Sequence, residues 1–314
     1  MSENKSNMID LARSSVQTWQ SDQMGHMNVQ FYVEQATHAL AALAVHLGLG
    51  PRFIDGEGFK LFAREHHVRF LREQRPGAPI TVRGGVLSVQ DFSFRAFFEM
   101  YNTVSEEVAA TFAVDVELMD DETRETKPLP AKAKAAALAY QKQIQSKLVW
   151  APKGSQYDAN KLIVDLPAHG APRGLTLYPP RKAPMLDEAE AMGLVFTWQG
   201  EVLREQCDAQ GHIIARHFMG IVSDSIPNLL GKTRGDDRSK NSKVGGAALE
   251  YRFHYHSYPS VGDVLTLRSG LKEVGPKTYI WGHWLFNLET GKAVATAEAV
   301  AIARMIMPRS PAIR

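Results

Sequence analysis

Two short loops hold the residue types that could do chemistry. The first reads WQSDQMGHMN (19–28) and places Asp22, Gly25, His26 and Asn28 ahead of an apolar, alanine-rich stretch with helical spacing. The second reads EVLREQCDAQGHII (201–214) and repeats the pattern with Asp208, Gly211 and His212, while Ile214 stands where Asn28 aligns. A helix N-terminus presents unbonded N–H groups and the positive end of the helix dipole, which suits a carbonyl oxygen that gains charge on attack. Gly25 lets the backbone approach that oxygen, and the Gly25–His26 amides are the expected oxyanion hole. Asp22 then serves as general base on water or as nucleophile, with Asp208 in the same role in the second loop and Gly211 and His212 as substrate contacts. Asn28 caps the helix or orients the water. The plainer reading is that an Asp before a helix is an N-cap and His26 a hydrogen-bonded structural group. Recurrence of Asp-x-x-Gly-His in both loops weighs towards chemistry for Asp22.

Other candidates carry less. Cys207 adjoins Asp208 and suggests a thiol nucleophile, but strand alternation places neighbours on opposite faces; as the single cysteine it forms no intramolecular disulfide and no CxxC cluster. There is no GxSxG elbow, and the GKT at 231–233 has Ile226 where a phosphate loop needs glycine. His254 and His256 share a strand face without a third ligand near in sequence, so no metal is expected. Glu34 and Asp224 lie on the two helices, where carboxylates are usually solvated. GKTRGDDRSKNSKVGG (231–246) is strongly charged. It is either a solvated connection or a phosphate clamp through Lys232, Arg234 and Arg238.

These loops sit in a duplication. Asp22, Gly25 and His26 match Asp208, Gly211 and His212 at an offset of 186, and HHVRFLREQRPGAPITVRGG (66–85) and FSFRAFFEMY (92–101) match 251–270 and 277–286 at 185. In each copy a short strand (Val16 and Thr18; Val202 and Arg204) leads into the loop, the loop into a helix (29–47; 215–230), and the helix into strands rich in β-branched and aromatic residues. In the first copy these strands are Val68–Leu71, Ile80–Val89, Phe92–Tyr101 and Val108–Leu118. Residues 131–148 read as a surface helix, followed by a Pro/Gly-rich stretch. The expected organisation is a first domain over 1–130, a linker over 131–190 and a second domain over 191–314.

Length and composition agree with two soluble globular units. There are 314 residues, 44% hydrophobic and 22% charged, with a net charge of +2, too small to imply nucleic-acid binding. The polar start MSENKSNMID and the lack of an apolar run of about 18 residues argue against secretion and membrane spanning. A cytoplasmic location is expected.

The loop at 19–28, with an acidic residue, a Gly-His turn and an asparagine before a helix, resembles the signature of the 4-hydroxybenzoyl-CoA thioesterase family of hotdog proteins. VDVELMDDETRETKPLP (114–130) is similar to that family's last strand and the proline after it. The resemblance covers roughly 14–130 and more weakly 195–308. It implies an α+β double hotdog, each unit an antiparallel sheet wrapped around a long central helix, that hydrolyses acyl-CoA. Coenzyme A then enters as part of the substrate, with no cofactor and a possible homo-oligomer of the chain. Thr37 and Ser223 stand where related thioesterases often carry a helical acid, which leaves Asp22 and Asp208 as the carboxylates to carry over. A hotdog hydratase or dehydratase places four residues between Asp and His, against three here. A non-catalytic acyl-CoA or acyl-carrier binder remains open.

Overall fold

In both copies, strands of β-branched and aromatic residues follow a long helix, alanine-rich in the first copy, and the chain folds accordingly. The computed structural model describes residues 8–51, 58–145, 179–234 and 244–305. Five strands come from the first half: β1 (Ile9–Ser15), β2 (Phe59–Phe70), β3 (Pro79–Val89), β4 (Ser93–Asn102) and β5 (Val108–Asp120). Five come from the second: β6 (Val195–Glu201), β7 (Val244–Tyr255), β8 (Val264–Val274), β9 (Tyr279–Asn287) and β10 (Ala293–Met305). Together they form one sheet in the order β1-β3-β4-β5-β2-β7-β10-β9-β8-β6, antiparallel throughout.

The order within each half is the same, read outward from the β2–β7 seam. The duplication is metrical: β2 and β7 begin at 59 and 244, β3 and β8 at 79 and 264, and β5 and β10 at 108 and 293, each 185 apart. At the seam Glu65 pairs with His254 and Arg69 with Glu250, and the Arg252 guanidinium donates to Glu65 at 2.6 Å, so a buried ion pair ties the halves.

Two long helices, α1 (Val29–His46) and α4 (Ala215–Arg234), lie against each other and against the sheet, while α2 (Ala131–Gln145) and α3 (Leu186–Ala191) lie between the copies in sequence. Tyr32, Val33, Ala36 and Leu43 of α1 and Phe218, Met219 and Val222 of α4 share one core with Val68, Phe112, Val114, Tyr251, Phe253 and Ala297 of the sheet. The buried alanines Ala36, Ala39 and Ala44 let α1 sit close to the strands. Gly48 ends α1 at φ +77°, a left-handed position that favours glycine. On the other face α2 packs over β3, where the Ile144 side chain occupies the space above Gly85 that a Cβ would need.

The expected first strands are corrected. They lie upstream at β1 and β6, and Thr18–Gln20 and Arg204–Gln206 are single 3-10 turns that hand the chain to each loop. The expected strand Val68–Leu71 is the end of the longer β2. The linker expected at 131–190 contains α2, which stops at Gln145, and an unanticipated helix, α3. Most of its Pro/Gly-rich stretch lies outside the described residues.

Candidate active site

The two Gly-His loops fold identically at the backbone. Asp22 N–H donates to His26 O at 2.8 Å and Gly25 N–H to Asp22 O at 3.0 Å; Asp208, His212 and Gly211 repeat the pattern at 2.8 and 3.0 Å. The reversal needs a left-handed residue, met by Gly25 at φ +77° and Gly211 at +84°. One carboxylate oxygen staples each turn. Asp22 Oδ1 accepts from Met24 N–H at 2.8 Å and His26 N–H at 3.1 Å, and Asp208 Oδ1 from Gln210 N–H at 3.1 Å and His212 N–H at 3.0 Å.

This corrects the assignment of the Gly25 and His26 amides as an oxyanion hole, because both donate inside the turn. Asn28 is the N-cap of α1. Its Oδ1 accepts from Gln30 N–H at 3.1 Å, and its Nδ2 crosses to α4 and donates to Ser223 Oγ at 3.2 Å. In the mirrored position Ile214 offers no polar atom, and Thr37 donates instead to Val33 O of its own helix at 3.0 Å.

The second carboxylate oxygens differ. Asp208 Oδ2 takes the ammonium of Lys60, from β2 of the other half. His212, buried beside it, faces Lys60 Nζ at 3.3 Å through Nδ1 and the Arg124 guanidinium through Nε2. Burial, and then the two cations, push its pKa below the ordinary histidine value. Asp22 Oδ2 has no partner among the described residues. His26 stays within its own half, 3.4 Å from Glu73 Oε2 and 3.3 Å from the Arg75 guanidinium. The Glu73–Arg75 segment is held in turn by Tyr32, whose hydroxyl accepts from Gln74 N–H at 3.1 Å and whose pKa burial pushes up to about 12.

Sequence reasoning did not find Lys60 or Arg124, which lie 148 and 88 residues from their partners. Nor did it find the use of Glu34, which pairs with Arg216 of α4 at 2.8 Å and accepts from the Gln20 side chain at 3.4 Å. Asp224 is exposed on α4, and partial desolvation raises its pKa. Cys207 ends a 3-10 turn with its thiol on Leu203 O at 3.4 Å, and burial raises its pKa too, the wrong direction for a nucleophile. Lys232 and Arg234 fall in the last turn of α4, and Arg238 lies outside the described residues.

A profile of the Thioesterase-like superfamily matches residues 16–137, which spans the first loop, α1 and β2 to β5. Over those residues the chain is similar to that superfamily. Within the whole chain, 66 residues are 38% identical to a betainyl-CoA thioesterase of Pseudomonas aeruginosa. That match covers 21% of this chain and 42% of the relative, so the chain spans about two-fifths of the length of the curated relative it matches. Solved structures extend the likeness in fold to the second half. A 12:0-ACP thioesterase from Umbellularia californica superposes with TM-score 0.65 over 95% of both chains, at 11% identity. An acyl-ACP thioesterase from Bacteroides thetaiotaomicron does so with TM-score 0.62 over 97% of this chain and 100% of that one, also at 11%. Such low identity speaks for the fold alone, a large antiparallel sheet of the hotdog thioesterase kind.

Proposed function

We propose that the chain is a double hotdog, with domains over 1–130 and 191–314, that hydrolyses an acyl-CoA thioester to the free acid and CoA. One observation carries the assignment of the working loop: Asp22 and Asp208 staple identical turns, yet only Asp22 keeps its second carboxylate oxygen without a partner among the described residues.

In this reading Asp22 Oδ2 removes a proton from a water that attacks the thioester carbonyl. The tetrahedral oxyanion collapses, the C–S bond breaks, and the proton passes to the leaving thiolate. Attack by the carboxylate itself breaks the C–S bond, releases the CoA thiolate to take up a proton from water, and gives a mixed anhydride that water then opens to the free acid and the restored carboxylate. The donor at the oxyanion is the amide at the first helical position, Val29, since Gln30 N–H is capped by Asn28 and Phe31 N–H bonds Asn28 O at 3.0 Å. Asn28 and Ser223 place a polar pair beside that amide from two helices. The relative named as a betainyl-CoA thioesterase supports CoA thioesters as the substrate class.

Lys232, Arg234 and Arg238 are the proposed contacts for the CoA phosphates, and no cofactor takes part. No helix among the described residues is long and apolar enough to cross a membrane. The stapled turn also favours a second reading, a binder in which both aspartates serve only the loop. Thiol release from a panel of acyl-CoAs, followed with a thiol reagent, separates the two. Hydrolysis of at least one member that Asp22→Asn abolishes supports the enzyme, and no release from any member returns the chain to the binder.

A further inference from the structure

A cavity of about 970 Å³ opens beside the Asp22 loop, between β1, the 3-10 turn after it and α1, with Arg216 of α4 closing one side. It adjoins the site through chain neighbours of Asp22 and Asn28, two residues that do not themselves line it. Gln20, which lines it, lies two residues before Asp22, and its carbonyl accepts from Asn28 N–H at 2.8 Å; Phe31, on the opposite wall, follows the Asn28 cap by three residues. A thioester held at the start of α1 therefore has this cavity next to its carbonyl carbon.

The lining decides what fits. By volume the cavity accepts a long alkyl chain as readily as a small group, being at the upper end for ligand sites. By chemistry the wall formed by Gln20, Glu34, Gln35 and Arg216 disfavours such a chain, while Leu11, Ala12 and Phe31 supply apolar surface for a short carbon skeleton. Glu34 and Arg216 bridge α1 and α4 at 2.8 Å with side chains only 21% and 24% exposed, and the buried Gln20 donates to the free side of that carboxylate. Gln35, also buried, accepts from Ser14 Oγ at 2.8 Å on the same wall. The guanidinium of Arg216 lies 5.6 Å over the Phe31 ring, and Trp19 stands 73% exposed at the rim. A methylene chain laid along this wall removes water from an ion pair and two amides without replacing any hydrogen bond, which is unfavourable for each group left unmet. A short acyl group with a polar or charged substituent replaces that water.

Building on the hydrolase reading above, we propose that this cavity is the acyl chamber of the Asp22 site and selects short acyl groups that carry a polar or charged substituent, through Glu34 and Arg216. Both are then specificity-determining residues, set at the junction of the two halves. The second half lacks the device, because Gly220 stands on α4 at the offset of 186 from Glu34.

The test compares kcat/KM for malonyl-CoA, 3-hydroxybutyryl-CoA and betainyl-CoA with butyryl-CoA and palmitoyl-CoA, which separates anionic, neutral polar and cationic substituents from plain chains of short and long length. At least one polar substrate should exceed both plain chains tenfold or more. The Glu34→Gln, Arg216→Gln double variant should lose at least tenfold more on that substrate than on butyryl-CoA. A preference for butyryl- or palmitoyl-CoA, or a preference unchanged in the double variant, overturns the proposal. Calorimetric titration of the same five thioesters into the Asp22→Asn protein decides the question without turnover. Tighter binding of a polar member that the added double substitution weakens supports the chamber even if the hydrolase reading fails, and equal binding of all five overturns it.

Discussion

The side-chain amide of Asn28, at the head of α1, donates to the hydroxyl of Ser223 in the middle of α4 at 3.2 Å while its oxygen caps Gln30. One side chain thus sets the start of a helix and its contact with the other half. Asn28→Ala should lower stability by about 1 kcal/mol for the cap alone. Ser223→Ala should cost less, since the cap survives. In a double-mutant cycle read by urea denaturation, the pair should show coupling above the ~0.3–0.5 kcal/mol scatter of independent sites. Additive losses would mean the cross-helix bond adds nothing.

A buried acid on the opposite face of the sheet supplies a pH signature. Glu298 in β10 is buried with Oε2 unbonded, and burial raises its pKa from about 4.5 to about 8, against a smaller lowering from Lys272. Between those values the unfolded chain releases a proton that the fold keeps. Its contribution is therefore whole below pH 4.5 and is lost as pH rises through 8. Glu298→Gln removes this dependence, so the variant should gain on the wild type in melting temperature from pH 5 to pH 8.5. His66 and His283 act the other way, held neutral by burial with pKa values of about 4 and about 3, so stability should also fall from pH 6.5 towards 4. A difference between variant and wild type that is flat with pH would place an ionised carboxylate in that strand.

What the sequence made legible follows from locality. The turn at Asp22 to His26 is built from bonds within five residues, and the offset of 185 survives because every strand but β4, one residue longer than β9, keeps its length between the same turns. Strand ends were less legible. Phe59 to His67 intersperses Lys60, Arg64 and Glu65 among apolar residues in a way that reads as surface, yet β2 begins there because β5 pairs with it from Phe59, and β7 joins on the other side from Glu65. Lys60 against Asp208 and Arg216 against Glu34 join residues that only the β2–β7 seam and the crossing of α1 and α4 bring together, and no spacing rule reaches that far.

The basic segment makes a kinetic prediction. If Lys232, Arg234 and Arg238 hold the phosphates of CoA, a contact far from the carbonyl binds ground and transition states alike. The triple alanine variant should raise KM for acyl-CoA several-fold with kcat nearly unchanged. Because cations in the last turn of α4 also favour the helix dipole, an unchanged KM with a lower melting temperature would assign Lys232 and Arg234 to the helix end instead.

The sharpest prediction sets Asp22 against Asp208. Asparagine keeps the Oδ1 that staples each turn and replaces the second oxygen with an uncharged NH2 group. At Asp22 that oxygen is unpartnered, so Asp22→Asn should leave the melting temperature nearly unchanged and lower kcat by ~10²-fold or more, the usual contribution of a positioned base. At Asp208 the oxygen is bound to Lys60, whose side chain is 16% exposed, so Asp208→Asn leaves an ammonium poorly solvated. The cost should fall on stability, about 1–2 kcal/mol, with kcat within a few-fold of wild type. Adding Lys60→Met should recover part of that loss, because removing both partners leaves no unpaired charge. If Asp208→Asn instead abolishes thiol release while Asp22→Asn retains it, the working carboxylate is the one clamped by Lys60, and the chemistry belongs to the second loop.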